Sequence, residues 1–230
     1  MKKSNTMNVL PDELEFFEPI TDTQENVWEA WKEGYNLVLT GSAGTGKTFI
    51  ALYLALREFL LSSSYRKIII VRSVVPTREI GFLPGDEKAK KESYTVPYKA
   101  IFSEMFGYDG AWGKMLSANK VEFESTSFIR GTTFDNAIVI VDEFQNLNFH
   151  ELDSIITRVG ENSKIMFAGD ATQTDLQKVT ERTGILDFMQ ILEGMPEVSK
   201  VEFGIEDIVR SGLVRSYLVS KINQGYNEKI

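Results

Sequence analysis

The stretch that decides the fold is Asn36-Leu37-Val38-Leu39-Thr40-Gly41-Ser42-Ala43-Gly44-Thr45-Gly46-Lys47-Thr48. A short apolar run of strand type ends in a glycine-rich turn, and a helical pattern with apolar residues on most faces follows to Leu61. The last eight residues of the stretch match G-x-x-x-x-G-K-[ST]. In such a loop the glycines let backbone N–H groups turn inward around phosphate oxygens, aided by the positive end of the helix dipole. Lys47 is expected to reach the β- and γ-phosphates, and Thr48 to offer its hydroxyl to Mg²⁺. The expected ligands are therefore ATP and Mg²⁺, held by Gly41, Ser42, Ala43, Gly44, Thr45, Gly46, Lys47 and Thr48.

Outward from this loop, Val- and Ile-rich runs recur at 67–72, 120–124, 137–142 and 163–168. Most are near-continuous rather than alternating, as expected of strands covered on both faces of a parallel sheet. Helical patterns fill 150–159 and 184–192. This alternation predicts an α/β fold with a doubly wound, mainly parallel sheet in a single domain. In such a sheet the carboxyl ends of the strands share one rim, where ligands bind. Gly41, Arg72, Ser125, Asp142 and Gly169-Asp170 should gather there. The run 137–141 leads into Asp142-Glu143: Asp142 is suited to hold Mg²⁺ through water, Glu143 to orient and deprotonate an attacking water. Gly169-Asp170-Ala171-Thr172-Gln173 ends the next run; the Gln173 amide could contact a γ-phosphate, though the same letters also suit a turn and helix cap. The long stretch 73–119, containing GFLPGD and VPYKAIF, reads as an irregular, functional insertion.

Gln24 stands in Thr21-Asp22-Thr23-Gln24, ahead of an amphipathic helix. Its amide could read adenine at N6 and N7, or it could simply open the helix after an N-capping Asp or Thr. Lys88, Lys90, Lys91 and Lys99 form a basic cluster that suits either a nucleic-acid stripe or a solvated loop face. Phe82 and Tyr98 are the insertion's candidates for stacking on bases, while the three tryptophans read mainly as core. The 230 residues carry a formal charge of −8 with a pI near 4.9, which argues against a duplex-coating surface but leaves room for a local basic groove. There is no cysteine and one histidine, His150, which excludes thiolate chemistry and His-rich metal sites. The first residues turn acidic too soon for a secretory signal, and no apolar run approaches a bilayer span, so a cytoplasmic location is expected and no membrane partner.

Together the motifs GSAGTGKTFIA (41–51), GFLPGD (81–86), IRGTTFDNAIVIVDEFQN (129–146), TRVGENSKIMFAGDATQTDL (157–176) and DIVRSGLV (207–214) resemble the PhoH-like ATPases. The resemblance implies a RecA-like core over 21–230, with 1–20 as an extension, related to the first motor domain of superfamily one helicases. It implies adenine contact by Gln24, handling of Mg²⁺ and water by Asp142 and Glu143, γ-phosphate sensing by Gln173, and work linked to RNA or single strands. Three departures stand out. Phe144 replaces a small residue after Asp142-Glu143, Ser211-Gly212 replaces His-Pro after Arg210, and no separate RNA-binding or nuclease domain is expected.

These readings predict an ATPase that grips single-stranded RNA or DNA through Arg72, Thr77, Arg78, Lys88, Lys90 and Lys91. A nucleotide-dependent switch acting on a protein partner is the alternative, and Glu143 with Gln173 disfavours a small-molecule kinase. Because one RecA-like core supplies one wall of an ATP site, a homo-oligomer is expected, a hexameric ring by resemblance. An arginine would then cross the interface: Arg210 first, Arg158 second, each equally readable as a surface ion pair.

Overall fold

Strands covered on both faces must send alternate side chains into two separate apolar layers, and the computed structural model shows that division. It describes residues 9–73, 87–126, 129, 131–170 and 179–224, with the side chains of 87–91 and 179–183 outside the description. Six strands, β1 (Asn36–Gly41), β2 (Lys67–Arg72), β3 (Val121–Ser125), β4 (Ala137–Asp142), β5 (Lys164–Ala168) and β6 (Val198–Phe203), form one sheet in the order β3-β2-β4-β5-β1-β6. Every neighbouring pair is parallel.

Leu37, Leu39, Ile68, Ile70, Ile138, Ile140 and Met166 point to one layer; Val38, Ile69, Val71, Val139, Val141, Ile165 and Phe167 point to the other. The first layer is covered by α1 (Asp22–Lys32), α2 (Lys47–Leu61), α3 (Glu87–Phe106) and α4 (Ala111–Ser117), the second by α5 (Phe149–Ile156) and α6 (Val179–Glu193). A last helix, α7 (Gly212–Asn223), buries none of its residues. Residues 9–20 run over the first layer: Phe17 packs on the rings of Phe49 and Tyr53, and the Glu15 N–H donates to the Met105 carbonyl at 2.8 Å.

Two elements depart from expectation. The stretch 73–119 is not irregular where it is described, because α3 and α4 occupy most of 87–117. Pro97 inside α3 masks the helical pattern, since proline removes a helix hydrogen bond. Beyond it Tyr98, Phe102, Met105 and Phe106 are all buried at helical spacing. The strand β6 is the second departure. It lies at the sheet edge with most residues half-buried or exposed, and so lacks a continuous apolar run.

The order puts β5 between β1 and β4, and the register aligns Leu39 with Ala168 and Ala168 with Asp142. Asp142 also lies level with Arg72, and Arg72 with Ser125. The expected rim therefore exists, with the loop after β1 at one end and Arg72 and Ser125 at the other.

Candidate nucleotide-binding site

The loop after β1 needs its glycines for space and for backbone angle. A Cβ on Gly41 (φ +122°) would collide with the Phe203 carbonyl of β6, and Gly46 (φ +84°) caps α2 in the left-handed region. Lys47, the first residue of α2, is 9% exposed. Its ammonium donates to the carbonyls of Gly41 (2.8 Å) and Ser42 (2.7 Å) and to the Thr45 hydroxyl (3.3 Å). Burial lowers the Lys47 pKa, while the carboxylates of Asp170, Glu143 and Asp142 oppose that shift.

Thr48, one residue on, donates its hydroxyl to Asp142 Oδ1 at 2.7 Å. The other carboxylate oxygen, Oδ2, accepts from the phenol of Tyr98 at 2.7 Å and lies 4.0 Å from Arg72 Nη1. Burial, with the Asp142 carboxylate beside it, pushes the Tyr98 phenol well above its ordinary pKa and so keeps it a donor. Glu143 follows in the left-handed conformation, φ +53° and ψ +44°, uncommon for a non-glycine residue and frequent at functional sites. Burial raises its pKa, and the neighbouring Asp142 charge adds to the shift. Gln145 holds it: Nε2 donates to Glu143 Oε2 at 2.6 Å, while Oε1 accepts the Asp170 N–H at 3.0 Å. Phe144 is fully buried against Phe167, and a Cβ on Gly169 would meet both its ring and Gln145. The unusual residue after Asp142-Glu143 therefore serves the core beneath the rim.

On the other side of the loop, Gln24 sits in the first turn of α1 rather than ahead of it, with Thr21 as the N-cap accepting the Gln24 N–H at 3.2 Å. Its side chain accepts the Ile20 N–H at 3.0 Å and reaches the Thr45 carbonyl at 3.5 Å, tying the helix start to the loop. Arg210 also reaches this loop. The Val209 N–H donates to the Gly44 carbonyl at 3.1 Å, and a Cβ on Gly44 would lie 3.0 Å from Arg210 Cγ. A cavity of about 670 Å³ gathers Gln24, Lys47, Thr48, Asp142, Glu143 and Arg210, and extends between residues 17–20 and the Ile101 and Glu104 side of α3.

Arg210 lines this pocket of its own chain and is exposed to solvent. Several expectations change. Arg158 lies beyond the carboxyl end of α5, away from this pocket, where its guanidinium bonds back to the Ser154 carbonyl and to the Ser154 hydroxyl at 2.7 Å. Tyr98 offers no exposed ring for a base: it is fully buried, stacked on Trp112 and packed on Phe123. Arg72 Nη1 lies 4.0 Å from Asp142 Oδ2, with the side chain partly exposed. Gln173, Thr77, Arg78 and Phe82 lie outside the described residues, as do the side chains of Lys88, Lys90 and Lys91. Two site residues escape sequence reasoning, Tyr98 as a partner of Asp142 and Gln145 as a partner of Glu143. The blocks VPYKAIF and DEFQN contain them, but nothing local says which side chain meets which carboxylate.

Among the described residues no three His, Cys, Asp or Glu side chains cluster to hold a metal. One hydroxyl and one carboxylate 2.7 Å apart, beside a phosphate-cradling loop, suit Mg²⁺, which is commonly held by one or two carboxylates and keeps water and phosphate oxygens. No helix among the described residues is long and apolar enough to cross a membrane.

The family model described as PhoH-like protein matches residues 17–222. The chain is 34% identical over 190 residues to a PhoH-like protein of Bacillus subtilis, covering 82% of this chain and 57% of that one. It is 36% identical over 181 residues to Protein PhoH of Escherichia coli, covering 78% and 51%. The chain thus spans about half the length of these relatives. Among solved structures, the large terminase of a thermophilic bacteriophage in complex with ADP superposes with a TM-score of 0.54 at 11% identity, covering 89% of this chain and 50% of that one. This likeness is one of fold, a RecA-like P-loop NTPase domain.

Proposed function

We propose that this chain, which belongs to the PhoH-like family, hydrolyses ATP with Mg²⁺ and couples that reaction to single-stranded RNA or DNA. One observation carries the reading: Thr48 and Asp142, 94 positions apart in sequence, stand 2.7 Å apart on the rim beside Lys47. That pair, beside that loop, is the arrangement a nucleoside triphosphate and its cation require.

The residues divide the work. The loop amides and Lys47 bind the β- and γ-phosphates and balance the charge that spreads over the γ-oxygens as the bond to the β-oxygen breaks. Thr48 and Asp142 would hold Mg²⁺, which when bound would supply positive charge to the phosphates. Glu143, held by Gln145, orients water and takes its proton, giving ADP and phosphate. Its partly desolvated carboxylate makes it a stronger base than an exposed glutamate. Gln24 ties α1 to the loop and faces the base side. Gln173 completes the γ-phosphate end in this reading. Arg210, packed on Gly44 of its own loop, serves its own chain's nucleotide. The hexameric ring stays in the reading as an assembly, without supplying the arginine.

Hydrolysis measured with and without poly-ribonucleotide and poly-deoxyribonucleotide tests the coupling. Stimulation by either polymer is the expected result. A rate unchanged by both moves the function to the nucleotide-dependent switch. Mixing Lys47→Ala with Arg210→Ala tests the arginine. With subunit exchange demonstrated, the mixture stays inactive if Arg210 acts within its own chain, and recovered activity would return it to the interface.

A further inference from the structure

We infer that Tyr98 is a positioning residue of the metal site: it orients Asp142 and makes the helical insertion part of the magnesium-binding apparatus. The inference rests on the magnesium reading above. A carboxylate that shares a cation must hold its rotation, and Asp142 is gripped at both oxygens, by Thr48 at Oδ1 and by Tyr98 at Oδ2, each at 2.7 Å. The two donors come from different elements, α2 and α3, so the carboxylate is fixed between them.

Tyr98 is itself immobilised. Its ring centroid lies 6.1 Å from Trp112 of α4 with planes 19° apart, and 5.7 Å from Phe123 of β3. It is fully buried. Packing alone would be served as well by phenylalanine, which fills the same space without a hydroxyl to satisfy. A buried phenol needs a partner, and here that partner is the carboxylate that pairs with Thr48. The same phenol also bonds the Arg72 side chain, whose Nη1 lies 4.0 Å from Oδ2, so without the hydroxyl both Oδ2 and Arg72 lose the group that links them. Removing an outer-shell partner of this kind typically costs ~10–100-fold in metal affinity or activity.

The test uses the full chain with Tyr98→Phe, which preserves the ring packing. ADP affinity is measured by displacement of a fluorescent nucleotide, in Mg²⁺ and in EDTA. The expected result is affinity in EDTA within about twofold of the parent, with the gain in affinity on adding Mg²⁺ reduced ~10-fold. An unchanged Mg²⁺ gain overturns the inference. Equal loss in Mg²⁺ and EDTA also overturns it, because Tyr98 would then support the nucleotide cradle rather than the metal. Asp142→Ala separates the two readings. If it keeps the Mg²⁺ gain, the magnesium reading falls and this inference with it. If it loses the gain while Tyr98→Phe keeps it, only the role of Tyr98 falls.

Discussion

Two segments meet at Asp142: the loop 41–48, which brings Thr48, and helix α3, which brings Tyr98. The loop is closed locally. Its lysine bonds to carbonyls five and six positions back, and its glycines adopt angles that few other residues tolerate. A site built from neighbours in sequence leaves a spacing that can be read directly. Helix α3 contributes through a contact 44 positions away, and Pro97 interrupts its pattern one residue before the side chain that matters. Its contribution is equally direct in space and nearly silent in sequence. A motif thus reports the part of a site that folds on itself, and the partner that completes it must be found by looking.

The largest expected effects test the loop half of this comparison. Lys47→Ala should remove nucleotide binding, since among the described residues its buried ammonium is the cation that the loop carbonyls enclose. Glu143→Gln should keep binding and lose ~10²–10⁴-fold in turnover, the usual cost of removing a positioned base. Equilibrium binding and single-turnover hydrolysis separate the two. Near-normal turnover by Glu143→Gln would detach the rim's acids from the chemistry and leave the loop a binding element alone.

The next effect asks whether the insertion belongs to the core. Phe102 is fully buried and meets Trp112 edge-on at 5.1 Å. Phe102→Ala should cost about 3–5 kcal/mol in denaturant unfolding, as removal of a packed ring from an interior does. Glu92→Ala, on the exposed side of α3, should stay within about 0.5 kcal/mol. If Phe102→Ala also costs less than about 1 kcal/mol, the insertion is an appendage, and Tyr98 loses its rigid support.

The same contrast explains what the sequence discloses. The strands β1, β2, β4 and β5 are legible because burial on both faces demands continuous apolar runs, and the rim follows from their common direction. The edge strand β6 is not, since Lys200 and Glu202 are exposed and break its run. Nothing in DIVRSGLV reveals that Val209 bonds to the Gly44 carbonyl and so brings Arg210 against the loop of its own chain. Tyr98 reads as a base-stacking ring because an aromatic residue's sequence position does not say which end of it is wanted. In the fold the hydroxyl is the working end and the ring is its mounting.

The smallest expected effect probes the other end of α3. Residues 88, 90 and 91 lie in its first turns, seven to ten residues ahead of Tyr98 along the same helix, and all three are lysines. If they contact a single strand, each phosphate contact releases condensed counterions, so log Kd against log salt should flatten by roughly 0.7 for every lysine changed to alanine. The triple variant should then lose about 2 in slope while its ATP affinity without nucleic acid is unchanged. A net charge of −8 makes this a sharp test, because the field of the whole chain repels phosphate and only a local cluster could produce the slope. Fluorescence anisotropy of a labelled oligoribonucleotide over a salt series measures it. A flattened slope would join a strand-gripping end and a metal-positioning end on one helix. An unchanged slope would leave the lysines as a solvated face and confine the work of α3 to its buried side.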